Sequence, residues 1–153
     1  MRIFLSFTFF IVTVFYSFAQ ESIYHQEVKA TVEKLFTAMW ENDGEMAKSL
    51  FDEKMRLMTT STDAEGFGEM KESPVEDFVL RIAQPKEKGT LDERIISWDI
   101  KVDGNLATAW TGYEFYSLGK FSHCGFNSFK LVKTKSGWKI FSIADTRRKD
   151  NCN

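Results

Sequence analysis

Apolar residues recur every three or four positions from Tyr24 to Trp40, through Val28, Val32, Leu35, Phe36 and Met39. Glu27, Lys29, Glu33 and Lys34 fall largely between them, which predicts an amphipathic helix of about five turns with one buried stripe. Asn42-Asp43-Gly44 ends it, and Asp43 can cap a short second helix carrying Met46, Ala47, Leu50 and Phe51. Met55 to Ser61 reads as a short strand and Thr62 to Lys71 as a loop. Ser73-Pro74-Val75-Glu76 then has the spacing of a capping box, with Ser73 at N-cap and Pro74 at N1 of a third helix. Pro85 and Gly89 mark the end of that helix.

From Leu91 the period changes from helical to two-residue alternation. Ile96, Trp98, Ile100 and Val102 share one face of a strand, and Asp103-Gly104 turns it back. The return strand sets Ala107, Ala109, Thr111, Tyr113 and Phe115 on one face, with Trp110, Glu114 and Tyr116 on the other. A last hairpin follows around Lys135-Ser136-Gly137. The expected architecture is α+β: a curved antiparallel sheet with three helices from the N-terminal half packed on it.

The last hairpin also carries the candidate chemistry. A three-residue loop with Gly137 left-handed would oppose Thr134 to Trp138, Leu131 to Phe141, Phe129 to Ile143, Asn127 to Asp145 and Gly125 to Arg147. Opposed residues share a sheet face. The core-facing row is therefore apolar beside the turn and changes to Asn127, Asp145, Arg147 and His123 at the far end, as the mouth of a cavity would. A structural polar cluster tying down the C-terminal tail would show the same pattern. In the ligand reading, Trp98, Tyr113, Asn127, Phe129 and Arg147 line a pocket, although such aromatics serve equally as core. The opposite hairpin face would carry Val132, Trp138, Ile140 and Ala144, a second apolar surface suited to a homodimer.

Composition and charge narrow the setting. Arg2, the apolar run from Ile3 to Tyr16 and the small residues of Ser17-Phe18-Ala19 have the pattern of a secretory leader spanning residues 1–19. Residues 20–153 would then form a single domain of about 134 residues, exported to the periplasm or the extracellular space and free of the membrane after cleavage. The net charge of −2 and the shortness of the basic cluster Arg147-Arg148-Lys149 point away from nucleic acid. Cys124 and Cys152 both lie in the exported part, where an even pair suggests a disulfide, with free thiols or a metal site as the competing readings. No second Cys or His stands at ligand spacing, so neither a metal nor another cofactor is expected.

Leu35-Phe36-Thr37-Ala38-Met39 in the first helix, Leu131-Val132-Lys133 before the last turn and Gly137-Trp138-Lys139-Ile140 after it resemble the nuclear transport factor 2-like superfamily. The nearest resemblance is to small exported bacterial proteins of the SnoaL-like and lumazine-binding-like groups. It implies a cone with a pocket between sheet and helices, commonly dimeric, in a superfamily that mixes isomerases and dehydratases with non-enzymatic domains. The short strand Met55–Ser61 lacks the carboxylate base that ketosteroid-isomerase-like members carry there. The expectation is thus a non-catalytic module that binds a small apolar or aromatic ligand between sheet and helices, or an interaction module. The alternative is a lyase or isomerase with His123 as acid–base and Asp145 orienting it.

Overall fold

The computed structural model describes residues 23–84 and 87–152. The expected leader and Pro85 lie outside them. Three helices, α1 (residues 23–41), α2 (Gly44–Ser49) and α3 (Val75–Ala83), accompany six strands. The strands are β1 (Phe51–Thr62), β2 (Gly68–Ser73), β3 (Leu91–Asp103), β4 (Leu106–Ser117), β5 (Lys120–Thr134) and β6 (Gly137–Thr146). They form one curved, unclosed sheet in the order β2-β1-β6-β5-β4-β3. All neighbours are antiparallel except β1 and β6, so the sheet is mixed rather than wholly antiparallel.

The buried stripe of α1, namely Val28, Val32, Leu35, Ala38 and Met39, packs in one core with Ala107, Ala109, Phe129, Leu131 and Ile140 of the sheet. Phe36 meets Phe129 edge to face at 6.0 Å. Asp43 caps α2 as expected, its Oδ1 accepting from the Met46 amide at 2.8 Å.

Four local expectations change. α2 stops at Ser49, because the Leu50 carbonyl accepts from the Ile140 amide and Phe51 already belongs to β1. The segment expected as a loop contains β2, an exposed edge strand whose charges match the usual protection of such edges. Ser73 is drawn into that strand opposite Leu57, so Pro74 takes the N-cap position of α3 without a side-chain cap.

The fourth change concerns two bulges. The register of β5 and β6 shifts at Phe141, so Leu131 pairs with Ile140, Lys133 with Trp138 and Thr134 with Gly137. The turn is therefore a two-residue loop, and Trp138 and Ile140 point into the core rather than onto the outer face. Trp138 donates to Glu27 Oε2 at 3.0 Å and meets the Tyr24 ring at 5.7 Å. A similar shift in β3 leaves Ile96 half exposed on the outer face, while Trp98 stays against the core. Beyond the Phe141 bulge, Phe129 faces Ile143 and Asn127 faces Asp145, the pairs expected from the alternation.

Candidate functional site

One cross-sheet row carries the polar cluster. Trp98, Thr111, Asn127, Asp145 and Thr59 are successive partners on β3, β4, β5, β6 and β1. Thr111, Asn127 and Asp145 are buried, and buried polar groups need partners. The Asn127 amide donates to Glu93 Oε1 at 2.7 Å and reaches Thr111 Oγ1 at 3.5 Å. Arg147 Nε donates to Asp145 Oδ2 at 2.8 Å. Asp145 Oδ1 is buried with no hydrogen-bond partner among the described residues.

Glu93 is the member of this cluster that the alternation pattern misses. Counting inward positions from Ile96 puts residue 93 on the outer face, but the bulge at Ile96 reverses the count. The adjacent pair Ile95-Ile96 is the signal in the sequence: two consecutive apolar residues in a half-buried strand mark where the inward set can change parity. Burial pushes the Glu93 carboxyl up to about 7, the Asn127 hydrogen bond opposes this, and the nearby Asp145 charge adds to it.

The five residues expected to line a pocket take different places. Asn127, Phe129 and Arg147, with Glu93 and Asp145, form the sheet wall of a cavity of about 60 Å³ under α1 and α3. Arg81 lies on its helical side. Trp98 stands in an adjoining cleft of about 340 Å³ with Trp40, Glu33 and Asp92. Phe36 and Glu93 border both spaces.

Tyr113 is fully buried but committed elsewhere: its hydroxyl donates to the Thr146 carbonyl at 2.8 Å. It crosses Gly125, where a Cβ would stand 1.9 Å from that carbonyl oxygen, so only glycine permits the approach. Burial, with the Asp145 and Glu93 charges, raises the Tyr113 pKa and keeps the hydroxyl a donor.

His123 does not join Asp145. Its Nδ1 lies 3.0 Å from Ser122 Oγ, and its ring packs 5.0 Å from Phe115 and 5.8 Å from Tyr113. Burial and then the Arg147 charge lower its pKa, favouring the neutral imidazole. It borders neither the cavity nor the cleft. Cys124 and Cys152 are joined by a disulfide, and Cys124 and Arg148 exchange backbone hydrogen bonds of 2.9 Å, which holds the tail beside Arg147.

The arrangement offers a buried hydrogen-bond acceptor, a carboxyl that titrates near neutrality and a paired guanidinium, approached along an aromatic cleft. Such a set can bind a small molecule through its donor groups or exchange a proton with it.

No family model matches the sequence, and no curated protein matches it. Its likeness to known proteins lies in the fold. An NTF2-like protein with a cystatin-like fold from Novosphingobium aromaticivorans superposes with a TM-score of 0.66 at 13% identity, over 92% of this chain and 90% of that one. A proposed dehydratase of the NTF2-like family from Streptomyces avermitilis gives 0.63 at 14% identity, over 81% of this chain and 95% of its own. The association domain of CaMKII from C. elegans gives 0.62 at 16% identity, with coverages of 82% and 97%. With its helices on one face of a curved six-stranded sheet, the chain has the nuclear transport factor 2-like fold.

Proposed function

We propose that this is an exported, non-catalytic module that binds a small ligand at the open end of its cone. The observation that carries the reading is Asp145 Oδ1, an acceptor buried on a cavity wall with no partner among the described residues, where a ligand's N–H or O–H would relieve the cost of its desolvation. The inner cavity has room for a few waters or one functional group. The ligand body would therefore lie in the cleft between Trp40 and Trp98, with a donor group reaching past Glu93. A small aromatic or apolar molecule bearing an amine or hydroxyl fits that division. The leader-like N-terminus and the disulfide support export.

The second reading, a lyase or isomerase, gains support from Glu93 rather than His123. A carboxyl titrating near neutrality beside a second carboxylate suits acid–base work, and a fold neighbour is a proposed dehydratase. We also propose a homodimer through the outer sheet face, where Trp110 stacks on Phe126 at 5.3 Å and Ile96 is exposed nearby.

The test is a thermal-shift panel of small aromatic amines, phenols and alcohols on the wild type, on Asp145→Asn and on Trp98→Ala. The binding reading expects a rise in Tm with at least one class, reduced in both variants. No rise with any class would leave the cluster a structural tie.

A further inference from the structure

A concavity of about 920 Å³ lies away from the polar cluster, between α2, α3, the start of β1 and the end of β2. Its shape follows from how the helices meet. Gly44 of α2 approaches α3 so closely that a Cβ there would stand 2.7 Å from Ala83 Cβ. This joins α2 to the C-terminal end of α3, and the groove runs past the other end, lined by Val75, Glu76 and Val79. Phe51, Met55 and Val79 give it an apolar lining, and Leu80 stands on its lip, 64% exposed.

Its charge is one-sided. Glu45, Asp52, Glu53, Glu72 and Glu76 border the groove, against Lys48 alone among the lining residues. Among the described residues, Glu72 alone of these carboxylates has a salt bridge, to Arg56 at 2.7 Å. The other four hold one sign of charge over an apolar surface that nothing in the described chain covers. The polar strand β2 borders the same groove with Glu72 and Ser73 and lies at the edge of the sheet.

We propose that this groove docks a basic, amphipathic segment of another polypeptide, whose apolar side chains lie on Phe51, Val79 and Leu80 while its lysines or arginines meet Glu45, Asp52, Glu53 and Glu76. Charge complementarity selects the partner and the apolar floor holds it in register. The inference is independent of the ligand proposed for the other end, because the two concavities share no lining residue.

The test uses a fluorescein-labelled dodecapeptide of alternating lysine and leucine, with its glutamate–leucine counterpart as control, read by fluorescence anisotropy at 150 mM salt. Binding of the lysine peptide should weaken by about tenfold in Glu53→Lys/Glu76→Lys, which a loss of about 1.4 kcal/mol would produce. It should weaken similarly in Leu80→Asp, a surface change that leaves the core intact. Asp99→Lys/Asp103→Lys, on the opposite edge strand, should change it less than twofold. Equal weakening by both charge reversals, with Leu80→Asp silent, would show diffuse attraction and overturn the proposal. Absence of binding by the lysine peptide, or equal binding by the glutamate peptide, would overturn it as well.

Discussion

The two ends of the β5–β6 hairpin are built from the same alternation and do opposite things. Beside the turn, Leu131, Trp138 and Ile140 are sealed under α1. Trp138, the one polar handle there, has a partner for its N–H. At the far end Asn127 and Asp145 occupy equivalent inward positions, yet one buried acceptor lacks a partner among the described residues and burial raises the Glu93 pKa to about 7. A region shaped for stability satisfies its polar groups. A region that keeps an unsatisfied one stores a cost that a ligand can relieve.

The largest expected effect lies where the dry row meets the polar one. Phe129 is fully buried, and Phe129→Ala should cost about 4 kcal/mol in urea unfolding through lost transfer energy and the cavity left behind. A loss below about 1 kcal/mol would mean the two ends are not different in kind.

Next comes the disulfide, which ties the tail to the polar end through Cys124. Cys152→Ser should cost about 3 kcal/mol, from loop closure in the unfolded chain. It should also speed amide exchange around Arg148 while leaving the exchange of Leu131 and Ile140 relative to global unfolding unchanged. Uniform acceleration would show that the tail is not a separate unit.

Smaller still is the pH effect of Glu93. Its ordinary pKa in an unfolded chain is about 4.3, and in the fold it lies at about 7. The folded state therefore holds the proton more tightly between these values. Its contribution to stability is complete below about pH 4.3 and is lost as pH rises through 7. Wild type should lose about 2 kcal/mol relative to Glu93→Gln between pH 4.5 and 8, less than the full shift implies because the residue keeps some solvent access. Parallel pH profiles would remove Glu93 from the buried cluster.

This contrast was partly legible in the sequence. The helical stripe of α1 and the pairs Phe129–Ile143 and Asn127–Asp145 follow from periodicity, because one buried face specifies register strongly. Both errors of register sit at adjacent apolar pairs, Ile95-Ile96 and Ile140-Phe141, where a bulge lets one residue leave the ladder. Each reverses inward and outward beyond it. The first hid Glu93, and the second put Trp138 and Ile140 on the wrong face. The edge strand β2 escaped notice because Gly68-Glu69-Met70-Lys71-Glu72 has neither β-branched residues nor a buried face. The parallel pairing of β1 with β6 joins segments far apart in sequence, which no local pattern encodes. His123 and Asp145 are close in register, but the imidazole turns to Ser122 and the aromatic pair of Phe115 and Tyr113.

Whether the polar end is kept for binding rather than for stability can be read from the urea unfolding free energy of Asp145→Asn at pH 7. The amide preserves an acceptor for Arg147, removes a charge from beside Glu93 and keeps the side-chain volume. A residue whose role lies outside folding should leave stability within about 1 kcal/mol of wild type, or above it. A loss of more than about 3 kcal/mol, the cost of breaking a buried ion pair, would contradict it and make Asp145–Arg147 a structural tie.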